Sequence, residues 1–162
     1  MRTSVDVHNH LLERDVPHEV FAAAGRLRSA EQLAAVLDLP PQEVGKVLIF
    51  ESRKGPVAAV VPSGFDAHLR RLARAVRRRD IALASDDRAS ELTEYLTDAI
   101  PPAGLPQGFA TVVDRSLARD AVLYFSGGEA RSVLKIRGTD LVRATDAVVA
   151  SIAVPAPPQP AR

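Results

Sequence analysis

Two short apolar runs joined by a tight turn place the strongest constraint on how this chain can fold. Residues 44–50 (VGKVLIF) and 57–61 (VAAVV) are rich in β-branched side chains, and the RKGP sequence at 53–56 carries turn residues. Short apolar runs bounded by turn signals are typical of buried strands. The sequence therefore predicts a β-hairpin over this region.

One lysine, Lys46, interrupts the first of these runs near its start. Burying an ammonium group without a partner costs several kcal/mol, so lysines are rare among core strand residues. Two interpretations stay open from the strand alone. Lys46 either reaches solvent at the edge of the sheet or points into a polar cavity.

Composition limits the class of protein. A chain of 162 residues with 46% hydrophobic content is long enough for one domain with a full core. The net charge of +1 gives no global attraction to a polyanion, so any nucleic-acid surface must come from local clustering. The absence of cysteine excludes disulfides and thiolate chemistry. No apolar run approaches the ~20 residues that span a bilayer, and a cytoplasmic location is expected.

The first part of the chain mixes helix and strand signals. A helix is predicted over residues 5–14 and a strand over residues 16–21. Ser29 followed by Gln32 is a capping-box signature, so a helix should begin there. The proline pair at 40–41 should stop that helix before the hairpin.

A basic helix is predicted over residues 66–79, where leucines and small residues follow a helical period. The opposite side of this helix carries arginines without any acidic residue among them. Two interpretations stay open: a solvated face, or a surface that contacts the phosphates of a nucleic acid. The candidate phosphate-binding residues are Arg70, Arg71, Arg74, Arg77 and Arg78.

The second half of the chain continues with short elements around one long loop. Ser85 is predicted to cap a helix after a short strand at 81–84. Residues 97–108 contain three prolines and two glycines, which preclude regular structure and favour a stiff, functional loop. Further strands are predicted at 109–114, 121–125 and 131–137, followed by a short helix capped by Thr139. Residues 147–154 are predicted to form a last strand or an extended segment.

Taken together, these signals predict a single domain over residues 1–154 and a proline-rich disordered tail over residues 155–162. Because strands and helices interleave irregularly, the expected class is α+β, with a mixed sheet flanked by helices.

Familiar catalytic motifs are absent from the sequence. There is no phosphate-binding loop, dinucleotide turn, zinc-protease motif or nucleophile elbow. His8 and His10 would point apart on a helix, so a shared metal ion is not expected. No cofactor is expected, and no conventional nucleophile is apparent.

The order of several short blocks resembles the YbaK/prolyl-tRNA-synthetase-associated family of aminoacyl-tRNA editing domains. RSAEQLA is similar to the family's R-T-A-E-E-A-A, and VGKVLIF to v-x-K-T-L-v-f, with Lys46 at the lysine and Val47 where threonine is usual. LTEYLTDAIPPAGL resembles L-T-G-Y-x-x-G-x-x-P-P-x-G-L. VVDRSL, FSGG and LKIRGTDL follow in the same order, so the resemblance covers most of the chain.

The resemblance implies a mixed, partly barrel-like sheet around a small aminoacyl pocket. It implies ester hydrolysis at the 3′ end of a mischarged tRNA without a side-chain nucleophile, and a tRNA hydroxyl that helps to activate water. Lys46 would anchor the terminal adenosine or phosphate. Backbone amides of a proline loop would hold the carbonyl, and each such donor can stabilise an oxyanion by about 3–4 kcal/mol. The loop residues are Asp98, Ala99, Ile100 and Pro101.

The resemblance also implies partners and further site residues. Mischarged tRNA is the expected partner, and its acceptor stem is expected to contact the arginine face of the predicted helix at 66–79. An aminoacyl-tRNA synthetase is a second expected partner. Substrate-binding candidates in the pocket wall and motif blocks are His18, Thr93, Ser126, Gly127 and Gly128.

Two residues depart from the family's pattern within the site. Glu94 and Asp98 stand where glycines are usual. Aspartate is among the least costly replacements for glycine if φ is positive at that position. Its carboxylate would disfavour an oxyanion, but it could bind a substrate ammonium group or pair with Lys46.

Three functional hypotheses follow from these residues and motifs. The first is a freestanding trans-editing deacylase. The second is a non-catalytic relative that binds tRNA or an aminoacyl ligand, because of the aspartate at position 98. The third is a protein-interaction domain that keeps only the fold.

Overall fold

The computed structural model describes residues 1–157 of the chain. Within them, helices and strands interleave as the sequence predicts for an α+β fold. The α-helices are α1 (Ser4–Glu13), α2 (Ala30–Val36), α3 (Leu69–Val76), α4 (Asp86–Thr93) and α5 (Gly138–Thr145). The strands are β1 (Glu19–Ala22), β2 (Gly45–Glu51), β3 (Val57–Pro62), β4 (Phe65–Ala67), β5 (Ala82–Leu83), β6 (Ala110–Asp114), β7 (Val122–Ser126), β8 (Ser132–Arg137), β9 (Val148–Ala150) and β10 (Ala153–Pro155).

The predicted hairpin forms the centre of the largest sheet. Strands β2 and β3 pair antiparallel, with Lys46 opposite Val61. This five-stranded sheet has the order β5-β2-β3-β6-β9, and β3, β6 and β9 run parallel. The predicted mixed sheet is thus confirmed.

Two smaller sheets complete the architecture, a three-stranded sheet β1-β8-β7 and a two-stranded sheet β10-β4. An isolated bridge between Val44 and Tyr124 connects the start of β2 to β7. Within residues 1–157 the sheets do not join into a closed barrel. The sheet is therefore mixed, as the resemblance implies, but the strands do not close into a barrel.

Both faces of the five-stranded sheet are buried. On one face, Ile49, Ala58, Val60 and Val113 join the main core beneath α1, α4 and α5. On the other face, a second cluster packs around Leu72 of α3. Burial on both faces explains why β3 is a continuous apolar run and not an alternating one.

Helix starts follow the predicted caps in two places. Ser29 accepts a hydrogen bond from the N–H of Gln32 at 3.0 Å, and Ser85 accepts one from the N–H of Arg88 at 3.2 Å. The predicted cap at Thr139 is wrong, because α5 already begins at Gly138. The Gly138 backbone lies so close to the Leu117 carbonyl that a Cβ there would come within 1.9 Å of it.

Two other predicted boundaries differ from the structure. Residues 97–108 are not wholly irregular, since Thr97–Ala99 forms a 3-10 helix. Pro155, predicted to begin the disordered tail, pairs with Phe65 as the last residue of β10. The N–H of Ala156 donates to the Gly64 carbonyl at 3.0 Å. The rest of the predicted tail, residues 158–162, lies outside the described residues.

Candidate functional site

A cleft of about 170 Å³ opens where β2 lacks a neighbouring strand. Strand β5 pairs only with Phe50 and Glu51. In the part of the chain that the structure describes, no strand pairs with this edge of β2 between Gly45 and Leu48. The carbonyl of Ile49 accepts from the N–H of Ala84 on this side. Because strand hydrogen-bonding direction repeats every two residues, the N–H and C=O of Val47 face the open edge.

The cleft has an apolar floor and a charged mouth. Val47, Ile100 and Phe125 contribute apolar surface, together with Leu27 and Leu33 from the α2 region. The charged side chains in its lining are Arg28, Glu31, Lys46 and Asp98.

Gly45 fixes the start of β2 against the cleft floor. The Phe125 ring lies so close that a Cβ at position 45 would come 2.1 Å from its Cε1 atom. Only glycine fits at that distance. Gly45 and Lys46 both line the cleft, and the glycine lets the start of β2 approach the Phe125 ring closely.

Lys46 is held between two carboxylates at the cleft. Its Nζ atom lies 3.5 Å from Oε1 of Glu31 on α2 and 3.7 Å from Oδ1 of Asp66 on β4. Its side chain is 21% exposed, so it neither extends freely into solvent nor lies in the core. Of the two interpretations that the strand alone leaves open, the polar cavity is the closer one, in the form of a partly covered cleft.

Glu31 also fastens α2 to the turn between β3 and β4. The same Oε1 atom accepts a hydrogen bond from the N–H of Gly64 at 2.9 Å. Burial alone raises the pKa of Glu31, but the Gly64 N–H and the Lys46 ammonium outweigh it and hold the pKa below its ordinary value. Glu31 is therefore a carboxylate that positions Lys46.

The loop opposite Lys46 enters the cleft through its 3-10 helix. The Thr97 hydroxyl donates to the Asp86 carbonyl at 2.9 Å and ties this turn to α4. The N–H of Ala99 donates to the Leu96 carbonyl at 2.9 Å, and Pro101 has no N–H. The N–H of Ile100 has no backbone partner within residues 1–157. Fewer backbone N–H groups are therefore free to hold a substrate carbonyl than the prediction for residues 98–101 assumes.

Asp98 does not adopt the backbone conformation in which aspartate is expected to replace glycine at low cost. Its φ is not positive, so backbone conformation is not what requires a small residue there. Its side chain is exposed at the cleft, and no ion pair to it occurs among residues 1–157. Pairing with Lys46 is therefore not observed.

Glu94, the other departure from the glycine pattern, does occupy a glycine-like conformation. It ends α4 in the left-handed region with φ of 65°. This conformation costs roughly 1–2 kcal/mol for a residue with a Cβ. The N–H of Arg2 donates to its carbonyl at 2.7 Å, which helps to hold it.

Tyr95 supports the loop at residues 97–108 from the side of the core. Its hydroxyl donates to the Gly104 carbonyl at 2.8 Å, and the ring is fully buried. Burial raises the pKa of Tyr95 well above its ordinary value, so the hydroxyl stays protonated as a donor. A Cβ on Gly104 would lie 3.0 Å from the Val7 Cα, so this part of the loop packs closely against α1.

Several predicted substrate-binding residues lie outside the cleft, although Ser126 lines it. His18 contacts His8, with their nitrogens 2.8 Å apart between β1 and α1. The Thr93 hydroxyl is buried and donates to the Ala89 carbonyl. Gly127 and Gly128 pack against β8 and the Tyr95 ring. Thr93 and the two glycines pack into the interior, whereas His18 is half-exposed on another face of the molecule.

The candidate tRNA-binding arginines divide into two groups. Arg70, Arg71, Arg74 and Arg77 are exposed, and no ion pair involves them within residues 1–157. Arg78 instead donates to the Ser52 hydroxyl and the Gly55 carbonyl of the hairpin turn. Arg78 is therefore half-buried and fixed to the hairpin turn, and it does not share the exposed surface of the other four arginines.

Sequence reasoning missed two charged residues of the cleft lining, Arg28 and Glu31, and one further partner of Lys46, Asp66. Glu31 and Asp66 reach Lys46 from positions 15 and 20 residues away in the sequence, a distance that no local pattern reveals. Arg28 precedes the capped helix and has no ion pair among the described residues. The glutamate in the RSAEQLA block is the signal that could have found Glu31, because that block resembles a family motif.

The fold and cleft define a class: a small mixed α/β domain in which a strand lysine faces a short proline-bounded loop. The aminoacyl-tRNA editing domain model matches residues 25–144, and the chain belongs to this family. A proline–tRNA ligase from Syntrophus aciditrophicus (strain SB) is 28% identical over 92 residues, which is 57% of this chain and 14% of that protein. The chain thus corresponds to a small part of that relative's length.

Solved structures show the same fold over nearly the whole chain. The hypothetical protein APE2540 matches with a TM-score of 0.85 and 28% identity, covering 92% of this chain and 99% of that one. A structure described as a proposed trans-editing enzyme for prolyl-tRNA synthetase has a TM-score of 0.83 at 21% identity, covering 95% and 98%. None of the helices in residues 1–157 is long and apolar enough to cross a membrane.

Proposed function

We propose that this chain is a deacylase that hydrolyses the ester of a mischarged aminoacyl-tRNA. The observation that supports this most is the meeting of Lys46 with Asp98 and Ile100 in one cleft. These residues come from blocks about fifty positions apart in the sequence. The membership in the editing-domain family supplies the reaction class.

In this proposal, the cleft binds the 3′ end of the tRNA without a covalent intermediate. Lys46, held by Glu31 and Asp66, anchors the terminal adenosine. The N–H of Ile100 donates to the ester carbonyl, and the N–H of Val47 at the open strand edge is a second donor. A tRNA hydroxyl helps to activate the attacking water, and the apolar floor receives the amino-acid side chain.

The proposed acceptor-stem contact lies on α3. Asp66, which contacts Lys46, is separated from the first turn of α3 by only two residues. The exposed side chains of Arg70, Arg71, Arg74 and Arg77 thus begin near the cleft. A duplex entering the cleft by its end would bring phosphates to this surface.

One observation favours a second candidate, a non-catalytic binder. The Asp98 carboxylate lines the same cleft as the proposed carbonyl donors. A fixed negative charge near a developing oxyanion opposes hydrolysis. Such a protein would bind an aminoacyl-tRNA end without turnover.

A deacylation assay separates the two candidates. Two of the comparisons name prolyl-tRNA synthetases, so tRNA for proline carrying each non-cognate amino acid in turn is the first substrate set. We expect hydrolysis of at least one ester well above the spontaneous rate in the same buffer. If no ester is hydrolysed but Asp98→Gly gains activity, the binding candidate is correct. If both proteins are inactive on all tRNAs tested, the deacylase proposal is wrong.

A further inference from the structure

The charged groups of the cleft are unequally paired. Lys46 has two carboxylates within 4 Å, and Glu31 has both Lys46 and the Gly64 N–H. Asp98 and Arg28 line the same cleft, and neither takes part in an ion pair within residues 1–157. The cleft therefore presents one unpaired carboxylate and one unpaired guanidinium to a ligand.

We propose that Asp98 binds the α-ammonium group of the substrate, so that the cleft selects esters of free α-amino acids. This inference rests on the proposed deacylase function and names its substrate class. In an aminoacyl ester, the ammonium is carried by the carbon next to the ester carbonyl. Asp98 and the free N–H of Ile100 lie two residues apart in one turn. The aminoacyl end of the substrate can therefore bind both groups, with its ammonium at Asp98 and its carbonyl at the Ile100 N–H.

The ammonium also removes the objection that Asp98 raises against catalysis. A carboxylate alone near the carbonyl would oppose an oxyanion. When the ammonium binds that carboxylate, their charges compensate, and the Ile100 N–H acts on the carbonyl without a net negative neighbour. The residue that departs from the family's glycine is then a specificity determinant.

Arg28 supplies the complementary contact from the wall that leads into α2. Its guanidinium suits a phosphate of the terminal nucleotides, since arginine binds phosphate with paired donors. The substrate then spans the cleft with its ammonium at Asp98 and its phosphate at Arg28.

The test compares esters that differ only at the α-carbon substituent. Alanyl-tRNA and lactyl-tRNA form such a pair, and nitrous acid converts other aminoacyl-tRNAs of the panel to α-hydroxy counterparts in the same way. Each rate is divided by the spontaneous rate, because the ammonium itself activates the ester. We expect the amino ester to be accelerated at least about tenfold more than the hydroxy ester, the strength of a charge-assisted hydrogen bond.

Variants locate the discrimination at Asp98. In Asp98→Asn, which keeps the side-chain shape, the ratio of the two accelerations should fall toward one. The matched control Asp87→Asn removes an exposed carboxylate from α4, outside the cleft lining, and should keep the wild-type ratio. Arg28→Gln should raise KM for both esters by the same factor, leaving the ratio unchanged.

Each outcome has a distinct meaning. Equal acceleration of the two esters by the wild type, or an unchanged ratio in Asp98→Asn, would overturn the role of Asp98 while leaving the deacylase function in place. If neither kind of ester is hydrolysed anywhere in the panel, the deacylase function fails and the inference falls with it. Circular dichroism of each variant verifies that the fold is retained.

Discussion

Lys46 illustrates what a single residue can and cannot reveal. Its rarity within an apolar run marks it as a candidate functional residue from the sequence alone. Its partners Glu31 and Asp66 could not be predicted, because they belong to separate elements brought together by tertiary packing. The lysine is a cation that two ion pairs, with Glu31 and Asp66, hold in position.

Asp114 is a buried carboxylate with a structural role, and its removal should destabilise the fold. It is 5% exposed and accepts hydrogen bonds from the N–H groups of Ile152 and Ala153 at 2.9 and 2.8 Å. The Ser116 hydroxyl donates to its other oxygen. We expect Asp114→Ala to lower the free energy of unfolding by about 2–4 kcal/mol, because buried donors lose their acceptor. Urea unfolding at neutral pH measures the change.

The pH dependence of the same carboxylate has a definite sign. Burial alone raises the pKa of Asp114, but hydrogen bonds from Ser116, Ala153 and Ile152 outweigh it and hold the pKa below its ordinary value of 3.8. A lowered carboxyl pKa stabilises the fold above the ordinary value, and this contribution is lost as pH falls through the folded-state pKa. The stability gap between wild type and Asp114→Ala should therefore narrow below about pH 4. A gap that widens with acidity would contradict this assignment.

At the scale of elements, α3 shows how tertiary pairing shortens a predicted helix. The periodicity predicts a helix over residues 66–79, but Asp66 pairs with Val154 in a strand and His68 accepts from the Arg71 N–H to begin the helix. The helix ends at Val76, with Arg77 in the left-handed conformation. Local periodicity could not predict that β4 pairs with β10, because β10 lies far from β4 in the sequence, near the C-terminal end of the chain.

The exposed arginines of α3 are tested through the salt dependence of tRNA binding. Replacing Arg70, Arg71 and Arg74 by glutamine should reduce the slope of log affinity against log salt by about two to three units, since each phosphate contact contributes roughly 0.7–0.9. Filter binding at several salt concentrations measures the slope.

A matched triple variant controls for net charge in that experiment. Arg131, Arg137 and Arg143 are also exposed and belong to other parts of the fold, just before β8, at the end of β8 and in α5. Their replacement by glutamine should leave the slope closer to wild type. Equal slopes for the two triple variants would return α3 to the interpretation of a solvated face.

At the scale of the whole molecule, local order was predictable and assembly was less so. The β2–β3 hairpin and the caps at Ser29 and Ser85 follow from turn and capping chemistry, which acts over a few residues. The parallel neighbours of β3 and the open edge of β2 depend on contacts across the chain. The resemblance between ordered blocks supplied the fold where the physics of local segments could not.

The candidate site likewise contains some residues that the sequence predicted and others that only the structure revealed. Lys46, Asp98, Ile100 and Ser126 were predicted and lie together in the cleft, whereas Arg28, Glu31 and Asp66 came only from the structure. His18, Thr93, Gly127 and Gly128 lie in or near the matching blocks but do not line the cleft. Proximity to a motif in sequence therefore did not predict which side of a strand or turn a residue occupies.

The most direct test of the central claim is the deacylation rate of Lys46→Ala against that of Lys54→Ala. Lys54 lies exposed in the turn of the same hairpin and serves as the control. On the ester that the wild type hydrolyses fastest, we expect Lys46→Ala to lose at least about a hundredfold in kcat/KM, equivalent to about 2.7 kcal/mol of transition-state stabilisation. Lys54→Ala should keep the wild-type rate. Equal activity of the two folded variants would contradict the assignment of this cleft as the active site.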